Sequence, residues 1–291
     1  MARCFTWLFG SALPSIILTS SAAADPETVF FPSADGKTEI VGYLFVPETS
    51  GAHPAIVMLH GRSGPYSSNV NEACTLVSRS QPSPCNAAGL SKRHTMWGSY
   101  WARNGYLALL PDSFGPRGKA YGFGRNTHDD PARDDVNEKT VRPLDAEGAL
   151  AYLRGREDVD LNRIFLQGWS NGGSTALNVM VRQGRQSAGY RAALAFYPGC
   201  GAAALLSPTL STPAPITMFL ASDDEEVSPT ICTHLAARAR DAGVPIDVVT
   251  YQGATHDFDE PSGSRQSVAG NRDALADALK RALAAVEAAR D

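Results

Sequence analysis

The pentapeptide Gly168-Trp169-Ser170-Asn171-Gly172 sets a serine between two glycines, one residue away on either side. A hydroxyl held there can act as a nucleophile if the chain makes a very tight strand-to-helix turn, where bulkier flanking residues would collide. The apolar run Ile164-Phe165-Leu166 precedes the motif, and a helix-compatible segment, Thr175–Arg182, follows it. Such a turn also aims the N-terminus of the next helix at the hydroxyl. The Asn171 N–H is therefore expected to stabilise negative charge developing on a substrate oxygen. A serine hydroxyl is a poor nucleophile unless a histidine takes its proton, and the histidine needs an acid to orient it. Of the six histidines, His256 is best placed, in the turn-forming stretch Gln252–Phe258. The others read more simply: His53 precedes a strand, His94 and His234 fall in helical segments, His128 lies in a polar loop, and His60 organises a turn. The acid is sought in the run Asp223-Asp224-Glu225-Glu226. Four consecutive acids usually form a solvated loop, and at most one is expected to face His256.

A second donor for the developing oxyanion is expected from the loop after an early central strand. His60-Gly61-Arg62-Ser63-Gly64 follows Ile56–Leu59 and fits that place. Its glycines let backbone approach a substrate closely, and the Arg62 N–H is the expected donor.

The elements that must position these residues alternate along the chain. Strand patterns fall at Thr28–Phe31, Glu39–Val46, Ala55–Leu59, Tyr106–Leu110, Ile164–Leu166, Ala192–Phe196, Ile216–Leu220 and Ile246–Tyr251. Pro111-Asp112 reads as a breaker. Helical patterns fall at Met96–Arg103, Pro143–Leu153, Thr175–Arg182, Pro229–Ala242 and Arg272–Ala289. In the last, Leu275, Leu279, Leu283 and Val286 form one apolar stripe expected to lie over the sheet. Alternation of this kind implies an α/β fold, a mainly parallel central sheet with helices on both faces. Two long stretches, Gly61–Leu90 and Ser113–Lys139, lack clear periodicity, as functional loops often do.

The chain has 291 residues, 43% of them hydrophobic and 19% charged, which suits a globular protein and excludes a disordered or fibrous one. Lys and Arg number 26 against 30 Asp and Glu, for a net charge of −4. No basic excess or cluster suggests a nucleic-acid partner. Residues 1–24 have one charged residue, Arg3, an apolar core and a small-residue end at Ala22-Ala23-Ala24. They read as a secretory signal peptide, leaving 25–291 as a single exported domain, periplasmic or secreted, with no membrane segment after cleavage. Export makes Cys74, Cys85, Cys200 and Cys232 candidates for two disulfides. Three connectivities are open; local pairing, Cys74 with Cys85 and Cys200 with Cys232, is expected. No Cys/His spacing suggests a metal, and the Ser/His chemistry needs no cofactor.

These motifs, in order, resemble the dienelactone hydrolase-like branch of the α/β-hydrolases. The resemblance covers nearly all of 25–291. It rests on Leu59-His60-Gly61 with Gly64, Trp97 and Gly105-Tyr106 leading into Pro111–Gly118, Gln167–Gly173, Phe196–Cys200, and Tyr251–Phe258. It implies an α/β-hydrolase fold and the chain order Ser, Asp, His for the triad. The family places its acid three residues after a small strand-ending residue; matching Ala221 to that residue selects Asp224. Cys232 falls where relatives of this branch often carry a cysteine. Two departures stand out. Members that open dienelactones use a Cys nucleophile and a Glu on the oxyanion loop, and the matching positions here are Ser170 and Gly61. The expectation is thus a serine carboxyl-ester hydrolase for small ester or lactone substrates. The alternatives are a serine peptidase and a non-catalytic binding protein on the same fold.

Overall fold

The computed structural model describes Met1 and residues 25–125, 127, 130–184 and 189–289. The segment expected to be a signal peptide, 1–24, and His128 lie outside the described residues, Met1 apart. Eight strands form one sheet: β1 (Glu27–Pro32), β2 (Glu39–Phe45), β3 (His53–Leu59), β4 (Leu107–Asp112), β5 (Val159–Trp169), β6 (Ala193–Phe196), β7 (Ile216–Ala221) and β8 (Ile246–Tyr251). Their spatial order is β1-β2-β4-β3-β5-β6-β7-β8. β1 pairs antiparallel with β2, and β2 antiparallel with β4. From β4 to β8 every pairing is parallel. This is the mainly parallel sheet of an α/β-hydrolase.

β3 is buried along its whole length, as a strand covered on both faces must be. The helices are α1 (Ser68–Asn71), α2 (Lys92–Arg103), α3 (Arg142–Arg154), α4 (Asn171–Gln183), α5 (Pro229–Asp241), α6 (Gly263–Gln266) and α7 (Ala269–Ala288), and α2, α3, α4, α5 and α7 pack on the sheet. Two apolar clusters result. One holds Leu153, Leu177 and Leu235 from α3, α4 and α5. The other holds Trp97, Trp101 and Val286 from α2 and α7. No helix among the described residues is long and apolar enough to cross a membrane.

Two local expectations change. Pro111-Asp112 does not end β4 but closes it, Pro111 pairing with Gly42 of β2. The β3 partners of β4 stop at Leu109, so Pro111 has a neighbour on one side only and its missing N–H costs the sheet little. In α7 the buried line is Ala274, Ala278, Ala282 and Val286. Leu279 and Leu283 are only partly buried beside it. The small alanines are buried against the core, and the leucines flank them.

The sulfurs of Cys74 and Cys85, and of Cys200 and Cys232, lie at bonding distance, both pairs local. The first staples the loop between β3 and α2. The second ties the segment after β6 to α5. Tyr66 anchors the same β3–α2 loop from inside, its hydroxyl donating to Asp112 (2.8 Å) beside the Tyr43 hydroxyl (2.6 Å).

Candidate active site

Ser170 stands between the end of β5 and the start of α4 with φ 51° and ψ −116°. That left-handed conformation is strained for a residue with a side chain and survives only where the surroundings force it. The flanking glycines show the forcing. A Cβ on Gly168 would fall 2.2 Å from the Gly172 carbonyl oxygen, and one on Gly172 2.0 Å from the Leu59 carbonyl oxygen. The turn is therefore packed directly against the end of β3 and the loop that follows it.

The structure brings the three residues singled out from sequence together. Ser170 Oγ is 3.0 Å from His256 Nε2. His256 Nδ1 is 2.9 Å from Asp224 Oδ2 and 3.0 Å from Oδ1. An imidazole bonded to a carboxylate through Nδ1–H presents a bare Nε2 to the hydroxyl, the tautomer that can accept its proton. Asp224 is fixed in turn by the N–H groups of Glu226 and Val227, both 2.9 Å from Oδ1. His256 is almost wholly buried, which by itself pulls its pKa down. The hydrogen bond that Nδ1–H donates to Asp224 and the charges of Asp257, Asp224 and Glu226 outweigh that and hold it above the ordinary value.

The expectation that one acid at most faces His256 is wrong: three do. Besides Asp224, Glu225 Oε2 accepts the His256 backbone N–H at 2.9 Å, and Glu226 Oε2 lies 3.7 Å from His256 Nε2. Charge compensation allows the crowding. Arg62 grips Glu226 with two bonds, Nη2 at 2.9 Å and Nε at 3.1 Å, and Arg125 adds Nε at 2.8 Å. Arg265 holds Glu225 at 3.0 Å. Asp257 also has positive φ, 59°. Burial would raise its pKa, but Arg93 at 2.8 Å, with His256 and Arg265, draws it down to about 2. Glu226, His256 and Asp257 offer ligand atoms within 4.8 Å of one another. Their atoms are already engaged with Arg62, Ser170, Asp224 and Arg93.

The two expected oxyanion donors lie on either side of the serine. Asn171 opens α4, so its N–H is at the positive end of that helix. The loop carrying Arg62 presses on the turn: a Cβ on Gly61 would sit 3.7 Å from Ser170 Cβ. Among the described residues the Arg62 N–H has no backbone acceptor. His60 is fully buried, its Nδ1 2.7 Å from the Gly61 carbonyl and its Nε2 accepting the Ser113 N–H at 3.2 Å. Burial and nearby Arg142 keep it neutral. It braces the loop, as its position predicts.

Two cavities open beside Ser170. One, about 200 Å³, is lined by Arg62, Arg125, Arg133, Asn171 and Glu226 together with the serine. The other, about 190 Å³, is lined by Arg62, Tyr66, Arg93, His256 and Glu226 with the serine. Glu226 and Arg62 thus border both.

Sequence reading missed the supports behind these groups. Asp259, fully buried, accepts Trp97 Nε1–H at 2.8 Å, Trp169 Nε1–H at 2.7 Å and the Tyr197 hydroxyl. It thereby straps the His256 loop to the residue next to Ser170. Arg142 bonds both Asn171 and His60; burial lowers its pKa to about 10. Asp259 had a faint signal, an acid three residues after His256. Arg142 had none.

The model of the dienelactone hydrolase family matches residues 86–289. Among solved structures, a dienelactone hydrolase-like promiscuous phosphotriesterase from metagenomic libraries superposes with a TM-score of 0.63 at 17% identity, covering 88% of this chain and 97% of that one. Thermogutta terrifontis esterase 2, phosphorylated by paraoxon, gives 0.58 at 19% identity, covering 90% and 95%. A Mycobacterium tuberculosis puromycin-hydrolyzing peptidase gives 0.61 at 16% identity, covering 93% of this chain but 41% of that one. At such identities the likeness is one of fold.

Proposed function

Because the chain belongs to the dienelactone hydrolase family, hydrolases of ester substrates, we propose that it is an exported serine carboxyl-ester hydrolase acting through Ser170, His256 and Asp224. His256 Nε2 takes the Ser170 proton as Oγ attacks the ester carbonyl carbon. The carbonyl oxygen becomes an oxyanion held by the N–H groups of Asn171 and Arg62. His256 then gives its proton to the departing alcohol, leaving an acyl-serine. A water, deprotonated by the same imidazole, releases the acid and restores Ser170. Asp224 keeps the ring in the productive tautomer throughout.

The observation that carries this reading is the line of hydrogen bonds from Ser170 Oγ through His256 to Asp224, 3.0 Å and 2.9 Å long. Two cavities at one serine suit the acyl and alcohol portions of a small ester. Their charged linings favour hydrophilic portions over long alkyl chains. Export is supported by the leader-like composition of residues 1–24 and by two disulfides, which suit an oxidising compartment. Residues 25–291 then form the mature protein as a single domain.

A fluorophosphonate probe tests the chemistry. The purified protein should be labelled at Ser170, and Ser170→Ala should abolish both labelling and turnover of p-nitrophenyl acetate. Unlabelled wild-type protein, or an active alanine variant, rejects the mechanism.

A further inference from the structure

Arg142, the first residue of α3, is completely buried. It forms no ion pair among the described residues. The nearby Asp145 is bound at 2.8 Å by Arg117 instead. Its Nε–H has no partner there, and its guanidinium lies over the Phe114 ring at 5.1 Å from the centroid. A buried cation with no carboxylate in direct contact is costly, its charge offset only at a distance by Glu138, Asp145 and Asp112. Its presence needs another explanation.

The two hydrogen bonds it makes supply one. Nη1 donates to the Asn171 side-chain oxygen, and Nη2 to the His60 carbonyl at 2.7 Å. One acceptor belongs to the residue after Ser170, and the other lies two residues before Arg62. These are the two segments whose N–H groups are assigned above to the oxyanion. They come from distant parts of the chain and otherwise meet through the close approach of Gly172 to the Leu59 and His60 carbonyls.

We propose that Arg142 is a positioning residue that sets the separation and angle of the two oxyanion donors; this rests on the ester-hydrolase reading above. A guanidinium suits the task because its nitrogens are coplanar and rigidly spaced and it stays protonated. A lysine could reach one acceptor but could not bridge both. Donors aimed at an oxyanion matter only where charge develops, so misplacing them costs the transition state and spares the bound ester. The positive charge behind both segments acts in the same sense.

The test compares Arg142→Met and Arg142→Lys with the parent enzyme, using p-nitrophenyl acetate hydrolysis, fluorophosphonate inactivation rates and thermal melts. Removing one oxyanion donor costs roughly 10²–10³ in kcat, so displacing two without deleting them should cost about 10- to 100-fold. The expected result is that loss in kcat with KM nearly constant, and a parallel loss in inactivation rate, because phosphonylation also builds negative charge on oxygen. Lysine should recover only part of the loss. If Arg142→Met does not fold, Asn171→Ala removes the other end of the strut while keeping the backbone N–H. It should lower kcat in the same way, and combined with Arg142→Lys it should cost less than the product of the two single effects. A melting temperature that falls while kcat stays within two-fold overturns the proposal, as does a rise in KM at constant kcat, or fully multiplicative effects. An inactive parent that resists the probe instead defeats the ester-hydrolase reading, so the two failures are distinct.

Discussion

Replacing Glu226 by glutamine will move the acid limb of kcat/KM to lower pH. On the proposed mechanism the limb reports protonation of His256 in the free enzyme, since only the neutral ring can take the Ser170 proton. Glu226 Oε2 lies 3.7 Å from His256 Nε2 and its side chain is 8% exposed. Its charge is one of those holding the imidazole pKa above its ordinary value. A unit charge at that distance is worth about 1 kcal/mol in bulk water and about 4 kcal/mol at an effective dielectric of 20. At about 1.4 kcal/mol per pKa unit, the limb should fall by roughly one to three units. The low exposure favours the upper part of that range. Arg62 and Arg125, no longer facing a carboxylate, push the same way. The measurement is kcat/KM for a neutral ester from pH 4 to 9, at two ionic strengths and with the fold checked at each pH. An unmoved limb would mean that Glu226 serves only to hold Arg62. An upward shift would refute the electrostatic account of His256.

Asp224→Asn should cost about 10⁴ in kcat while leaving the fold intact, because the amide can stabilise the wrong imidazole tautomer; steady-state kinetics with circular dichroism check it, and a loss under ten-fold would move the acid elsewhere. Gly172→Ala should destabilise by more than about 3 kcal/mol or prevent folding, since its Cβ would strike the Leu59 carbonyl, whereas Gly201→Ala, with nothing within 4 Å, should change stability by under about 0.5 kcal/mol; urea melts of both decide. Breaking the disulfides with serine pairs should cost about 3 kcal/mol for Cys74–Cys85 and about 4 kcal/mol for Cys200–Cys232, following their separations of 11 and 32 residues; the reverse order in urea melts would contradict the loop-entropy argument.

What the sequence made legible is what local geometry dictates. A tight turn at Ser170 demands glycine at 168 and 172, and both are visible in five residues. The strands are visible for the same reason, as runs of apolar residues between breakers. His256 and the acid run each follow a late strand, and their convergence on Ser170 is what the resemblance implies from the chain order Ser, Asp, His. The errors share another origin. The acid run read as solvated because Arg62 is 164 residues from Glu226 in sequence, and only the folded chain brings that cation to it. On α7 the buried line runs one residue from the expected Leu275, Leu279 and Leu283, while Val286 is buried as expected, because the sequence shows which residues are apolar but not which of them face the sheet.

Asp259 and Arg142 carry that distinction into the chemistry. Trp97 is 162 residues from Asp259, and His60 is 82 from Arg142, so neither bond has a signature in any short window. Yet each ties one segment of the site to the serine turn: Asp259 the histidine loop, Arg142 the proposed oxyanion loop. Both are buried ionisable groups with hydrogen-bond partners chosen from different elements, and such groups tolerate little displacement because an unmet bond in a low dielectric is expensive. On this reading the residues that react sit on loops, and charged side chains buried beneath them fix their placement. Substitutions under the site should then affect kcat more sharply than substitutions at its mouth of equal effect on stability, since a mouth residue such as Arg125, with a half-exposed side chain, bonds Glu226 but none of Ser170, His256 and Asp224.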